Sequence, residues 1–204
     1  MSAVPMRAEA SDRAEMVSQL VLGDTVEVVD RQEKWSRVRC EYDGYEGWVD
    51  NKQYTPFESA ADLAERCFLD TPYLWGGRSR GGIDCSGLTQ ICFKANGIWL
   101  PRDASQQVTC GIEIFNSSPC QGEVPVWAEG SVQRDDLAFF TSASTQAIRQ
   151  SDNQAIKVTH VGICMGDGRI VHASGFVRID KLDSTGIFNG ETYTHRLHSI
   201  RRLR

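Results

Sequence analysis

Apolar and polar positions alternate in short runs between residues 25 and 49. Thr25-Val26-Glu27-Val28 is one such run, and Ser36, Val38 and Cys40 alternate with Trp35, Arg37 and Arg39. Period-two alternation is the mark of a half-buried strand. Asp43-Gly44 separates Cys40-Glu41-Tyr42 from Glu46-Gly47-Trp48-Val49, and an Asp-Gly pair between strand-like runs predicts a hairpin, because glycine accepts the positive φ of a tight turn. The period then changes. Ala60, Leu63, Ala64, Cys67 and Phe68 recur at helical spacing behind Ser59, whose hydroxyl is three residues from Asp62 in a capping pattern. Cys67 is read as core on that face. A second helix is expected over Leu88, Ile91, Cys92 and Ala95, stopped by Asn96-Gly97.

Pro56 in Thr55-Pro56-Phe57 breaks the strand pattern and marks a boundary between domains at 1–55 and 56–204. The stretch 101–133 is poorly periodic and broken by Pro119, Gly122, Pro125 and Gly130, which predicts a long binding loop or lid. Leu137-Ala138-Phe139-Phe140 reads as a buried strand, and the Ser/Gln-rich segment 141–157 as an exposed excursion. Two further strands, 160–165 and 169–174, meet at Gly166-Asp167-Gly168. A three-residue loop there sets Met165 opposite Arg169 and His160 opposite Ser174. Side chains alternate with period two, so His160 and His172 share one face, about 7 Å apart along the diagonal and within reach of imidazole rings. Val161, Ile163, Val171 and Ala173 fall on the opposite, buried face.

Candidate chemistry gathers at Gly81-Gly82-Ile83-Asp84-Cys85-Ser86-Gly87-Leu88. Asp84 is a good N-cap residue, which puts Cys85 at the positive end of a helix, where thiolate is favoured and the thiol pKa is expected to fall. A thiol nucleophile needs a base in hydrogen-bond reach, and the base needs a group to orient it. Cys85, His160 and His172 supply the three. His195 and His198 lie in the basic tail with Arg196, Arg201, Arg202 and Arg204; the tail reads as a solvated terminal strand and its histidines receive no role.

Composition narrows the classes. A chain of 204 residues with 41% hydrophobic and 24% charged residues has enough apolar material for a real core. The net charge of -5 offers no basic field to nucleic acid or anionic lipid, and no run of eighteen apolar residues is present to span a membrane. Seven cysteines, an odd number without Cys-x-x-Cys spacing, argue against a disulfide framework and a zinc site and favour a reducing compartment. No metal and no cofactor is called for. The polar stretch 1–14 does not read as a signal peptide, so a cytoplasmic location is expected, or an exported one if a leader has been trimmed.

The motifs also follow one family in order: Pro72-Tyr73-x-Trp75-Gly76-Gly77, Asp84-Cys85-Ser86-Gly87-Leu88, Leu100-Pro101-Arg102-x-x-Ser105-x-Gln107, His160-Val161-Gly162 and His172-Ala173. From about residue 57 onward the chain resembles an NlpC-type papain-like cysteine peptidase of bacterial cell-wall metabolism. Gly47-Trp48-Val49 resembles the closing signature of a bacterial SH3 domain. The expected fold is therefore α+β, a papain-like domain preceded by a small SH3-like β-barrel. Asp135-Asp136-Leu137 departs from the family's usual Gly-Asp-Leu, and the insert 111–133 is longer than a minimal family domain needs.

The resemblance implies a cysteine endopeptidase that cleaves the γ-D-glutamyl-L-diamino acid bond of peptidoglycan stem peptides. Cys85 would be nucleophile, His160 base and His172 its orienter, with the Tyr73 hydroxyl completing an oxyanion hole. Asp84 matches a position that holds the substrate amine, and Ser86 and Ser105 match contacts to carboxylate. All three have plainer readings as an N-cap and as local hydrogen-bonders. Family members with an adjoining SH3 domain and no export signal resemble recycling enzymes that require a free N-terminal L-alanine. Glu15 and Tyr45 are then candidates for the barrel's contribution, or else a loop acid and a surface tyrosine. The rival readings are an amidase or acyltransferase on the same scaffold, and a cell-wall-binding protein with an inactive peptidase domain.

Overall fold

The structure is a computed structural model that describes residues 3–21, 23–54, 58–117, 126–128, 130–141 and 157–203. The chain divides into two units, Met1–Glu58 and Ser59–Arg204. The boundary tripeptide 55–57 and most of the segment 141–157 lie outside the described residues.

Unit 1 is a five-stranded antiparallel sheet made of β1 (Ala3–Arg7), β2 (Met16–Val21), β3 (Val26–Arg31), β4 (Trp35–Cys40) and β5 (Glu46–Asp50), in the order β2-β1-β5-β4-β3. Met6, Leu20, Val38 and Val49 form its core. The expected Asp43-Gly44 turn joins β4 to β5, with Gly44 at φ +73°. Trp35 and Trp48 are half-buried.

Unit 2 opens with α1 (Ala60–Phe68), whose first turn is capped where the Ser59 hydroxyl accepts a hydrogen bond from the Asp62 N–H at 3.2 Å. Cys67 is only partly buried, at the edge of the apolar face rather than in the core. A two-strand ribbon, β6 (Arg78–Ser79) with β7 (Gly82–Ile83), leads into α2 (Cys85–Lys94), which ends at Gly97 with φ +75°. The short α3 (Ala104–Gln107) follows.

The remaining strands are β8 (Ile112–Asn116), β9 (Leu137–Thr141), β10 (Val158–Cys164), β11 (Arg169–Ser174), β12 (Phe176–Leu182), β13 (Gly186–Phe188) and β14 (Tyr193–Arg202), in the order β13-β12-β11-β10-β9-β14-β8. An additional pairing of β13 with β14 closes six of them into a ring, with β8 outside it on β14. Ala138, Phe140, Cys164, Ile170, Leu182, Ile187, Leu197 and Ile200 pack together as one cluster. The alternate positions Leu137, Phe139, Val161, Ile163, Val171 and Ala173 are also buried, and α1 and α2 pack against β10 and β11. Both faces of the central strands are therefore covered, which is why they read as nearly continuous apolar runs.

Two expectations are corrected. The irregular stretch 101–133 contains α3 and the edge strand β8, because Ile112, Ile114 and Phe115 find a partner in β14 that local periodicity does not reveal. The basic tail is not a solvated strand: β14 lies between β9 and β8 and buries Leu197, Ser199 and Ile200. Its arginines are held by acids of neighbouring elements, Arg202 on Asp136 at 2.7 Å and Arg201 on Glu113 at 2.9 Å.

The hairpin register matches the expected parity. Gly162 pairs with His172 and Ile163 with Val171, and the Met165 N–H donates to the Arg169 carbonyl at 2.9 Å. Gly162 allows this close approach, since a Cβ there would lie 2.7 Å from Ile170 Cδ1 and 2.9 Å from His172 Cβ. Gly162→Ala is expected to destabilise unit 2 by about 1–3 kcal/mol through overpacking. Urea denaturation would read this as a lower midpoint, and an unchanged midpoint would contradict it.

Candidate active site

Asp84 builds the start of α2. Its Oδ1 accepts from the Gly87 N–H at 2.7 Å and from Arg102 Nη1 at 3.0 Å; its Oδ2 accepts from the Gly76 N–H at 2.8 Å and from Arg102 Nη2 at 2.6 Å. Burial pushes this carboxyl up, but Arg102 and the two backbone donors outweigh it and hold the pKa below the usual aspartate value. A carboxylate offers about four lone-pair sites, and here four donors within 3.0 Å occupy them, with the Ser86 hydroxyl at 3.5 Å as a fifth. The geometry supports the N-cap role, and a substrate amine would reach Asp84 only by displacing Arg102. Ser86 is buried and its Oγ accepts from Arg102 Nη1 at 2.9 Å. Ser105 is exposed on α3.

The motif arginine and glutamine carry more structure than the sequence reading assigned them. Gln107 is fully buried; its Nε2 donates to the carbonyls of Ser86 at 3.1 Å and Pro101 at 2.8 Å, and its Oε1 accepts from Thr89 Oγ1 at 2.7 Å. It fastens α3 to the first turn of α2, and a fully buried amide with every polar atom engaged is difficult to replace.

Cys85 is the first residue of α2 and is 6% exposed. The backbone N–H groups of Val161, Ser86 and Cys85 itself reach its sulfur, which seats the thiol against β10 at Val161, the residue after His160. Burial raises the thiol pKa above its ordinary value, and those N–H groups reduce the rise without cancelling it. This corrects the expectation of a depressed pKa: desolvation of the thiolate wins over the helix terminus.

His160 on β10 and His172 on β11 are both buried, and His160 Nε2 lies 2.9 Å from His172 Nδ1. Burial, then the charges of His172 and His195, hold the His160 pKa well below the ordinary imidazole value. The resting pair is therefore a neutral thiol and a neutral imidazole. Tyr73 is half-buried, and its phenol is pushed up first by burial and then by the neighbouring Cys85 and Asp84, so it carries a proton to donate. Cys85 is thus placed with Tyr73 and against the strand that carries His160, and His160 is paired with His172. Glu15 and Tyr45 are exposed residues of unit 1.

Two contributors were missed in the sequence. His195 on β14 stacks on His160 with ring centroids 4.2 Å apart and planes 25° apart, and burial lowers its pKa to about 4. Asp180 on β12 has Oδ2 3.0 Å from His172 Nε2. The alternation of His195 with Leu197, and a tight turn at Gly175 that pairs His172 with Arg178, were the available signals.

The nitrogens of His160, His172 and His195 lie within 4.8 Å of one another. This arrangement does not fit a tetrahedral metal site. Two donors about 2.1 Å from one tetrahedral ion stand about 3.4 Å apart, further than the 2.9 Å between His160 and His172.

Residues 70–200 match the NlpC/P60 family, and residues 6–53 match the bacterial dipeptidyl-peptidase Sh3 domain. Two curated relatives are both named γ-D-glutamyl-L-lysine dipeptidyl-peptidase. The Bacillus cereus protein is 32% identical over 120 residues, covering 58% of this chain and 29% of the relative. The Bacillus subtilis protein is 36% identical over 106 residues, covering 52% of this chain and 28% of the relative. The chain thus spans less than a third of the length of these two proteins. A crystal structure of an NlpC/P60 family protein from Bacillus cereus superposes with a TM-score of 0.56 at 24% identity, over 98% of this chain and 60% of that one, and shows a shared fold.

The charge state of the pair is open to a direct test. Alkylation of Cys85 by iodoacetamide, followed by peptide mass spectrometry, is expected to speed up continuously with pH and to reach no plateau below 9.0, the ordinary thiol value. A reactive plateau at neutral pH, as a preformed thiolate–imidazolium pair would give, would show the assignment to be wrong.

Proposed function

The chain belongs to the NlpC/P60 family, a family of cysteine peptidases, and from that premise we propose that it hydrolyses the γ-D-glutamyl-L-diamino acid bond of peptidoglycan stem peptides. The observation that carries this reading is the placement of Cys85 at the head of α2, its sulfur reached by the Val161 N–H of β10, next in the chain to a neutral His160 bonded to His172 at 2.9 Å. The names of the two relatives, both γ-D-glutamyl-L-lysine dipeptidyl-peptidases, support the bond type.

In this mechanism His160 takes the Cys85 proton as the sulfur attacks the γ-carbonyl carbon, so the charge separation that burial forbids at rest is created only during attack. The carbonyl oxygen becomes an oxyanion, met by the Cys85 N–H and the Tyr73 hydroxyl. The tetrahedral adduct collapses to a thioester as His160 returns the proton to the leaving amine. Water, deprotonated by His160, then hydrolyses the thioester. Arg102 and Ser86, at the same helix mouth, supply a cation and a hydroxyl suited to the free α-carboxylate of D-glutamate. Small soluble peptides with a free N-terminal L-alanine are the proposed substrates, in a reducing compartment consistent with recycling in the cytoplasm.

Cys85→Ala is expected to abolish release of diamino acid from L-Ala-γ-D-Glu-L-Lys and its diaminopimelate counterpart, read by mass spectrometry, with the thermal melt unchanged. Retained turnover would remove the mechanism. The N-acetylated peptide is expected to turn over at least about tenfold more slowly, as for the loss of one charged contact; equal rates would discard the requirement for a free amine. Because His160 is neutral above a pKa well below 6.5, kcat/KM is expected to decline on the acid side only below pH 6.5.

A further inference from the structure

Asp180 stands behind the histidine pair and has no part in the mechanism above. It lies on β12 diagonally across from His172, whose direct partner is Arg178, and its side chain is 8% exposed against 1% for His172. Its Oδ2 is 3.0 Å from His172 Nε2, and Arg178 forms an ion pair with the same carboxylate, Nε lying 2.9 Å from Oδ2 while Nη2 donates to Oδ1 at 2.9 Å. A carboxylate in that setting is ionised. Burial pushes it up, but the hydrogen bonds from His172 and Arg178 prevail and keep its pKa below the ordinary value.

An ionised carboxylate only accepts hydrogen bonds. Nε2 of His172 is therefore the donor to that carboxylate, and in a singly protonated His172 this leaves Nδ1 as a lone pair. His172 Nδ1 is 2.9 Å from His160 Nε2, so that bond forms only if His160 in turn carries its proton on Nε2. By elimination the free lone pair of His160 is on Nδ1. Remove the acceptor at position 180 and the opposite sense becomes available: His172 donates from Nδ1, His160 accepts at Nε2, and the His160 proton moves to Nδ1, where it can no longer take one from a thiol.

We infer that Asp180 is a positioning residue of this site, which acts through His172 to set the tautomers of both imidazoles and so keeps Nδ1 of His160 free as the base for Cys85. In the step it supports, the S–H bond of Cys85 breaks, its proton bonds to His160 Nδ1 and the sulfur keeps the electron pair. The imidazolium so formed has a relayed negative charge behind it. Arg178 fixes the carboxylate in place, and a plain ion pair between the two would ask nothing of the histidines. The inference rests on the reading of His160 as the base for Cys85.

The test has two arms. Nitrogen-15 NMR of the histidine-labelled full chain at neutral pH is expected to show His160 and His172 both protonated at Nε2; a wild-type His172 protonated at Nδ1 overturns the inference. Asp180→Leu removes the acceptor. It is expected to mix the tautomers and lower kcat on the γ-D-glutamyl peptide by about 100-fold, the lower range for general-base catalysis, with KM within about threefold. Asp180→Asn keeps an oxygen acceptor, and is expected to retain the tautomers and bring kcat back to within about tenfold of wild type, since an amide forfeits only the charge-assisted part of the bond. Should the leucine variant fail to fold, the wild-type spectrum and the asparagine variant decide; a folded leucine variant that keeps both tautomers overturns the inference whatever its kcat. Failure of the wild type to cleave the peptide would instead sink the proposed function, while the tautomer spectra would still judge Asp180.

Discussion

The hydrogen bond between His160 Nε2 and His172 Nδ1, 2.9 Å long and shut away from water, is the interaction on which the rest of unit 2 depends. Two imidazoles taken out of water must satisfy one another, and burial makes His160 costly to charge there. That single requirement accounts for the low pKa of His160, for the absence of a side chain at Gly162 where β11 approaches, and for the need for an acceptor beyond His172. A pair of histidines on an exposed hairpin would titrate near the ordinary value and carry no such directional information.

The closed ring of strands supplies the dry setting. β14 returns beside β9 and pairs with β13, which brings His195 onto the face of His160 and seals the side of the site that β10 and β11 leave open. On the other side, the turn through Gly76 and Gly77 and the first turn of α2 are drawn together by Asp84 and Arg102. Gly77 and Gly87 pass so closely that a Cβ on Gly87 would lie 2.4 Å from the Gly77 carbonyl oxygen. The helix mouth that holds Cys85 is thus assembled by an ion pair and a glycine contact, both local, while the base is delivered by strands from elsewhere in the chain.

Competition between burial and the helix terminus is resolved at Cys85 in favour of burial. A helix N-terminus favours thiolate by an amount that solvent and depth scale down or up, whereas enclosing the sulfur penalises the charged form outright. The site therefore rests uncharged and separates charge only when a substrate carbonyl is present to receive the sulfur. That division of labour places weight on the orientation of His160, because a neutral imidazole is a base at one nitrogen only.

Much of this was legible in the chain itself. Period-two runs and the Gly166-Asp167-Gly168 turn determined the β10–β11 register and put His160 and His172 on one face, since strand parity is a local property that a three-residue loop carries across. The glycines, Asp84 and the apolar spacing after Cys85 determined where α2 begins and ends, because caps act within one turn. Tertiary structure alone decided the rest. His195 and Asp180 join the site only because β14 and β12 close the ring, a pairing between segments whose own sequences carry no label for their partner. Whether Arg102 would fall on Asp84, and whether the thiol would be raised or lowered, turned on distances and on exclusion of water, and these exist only once the chain has folded.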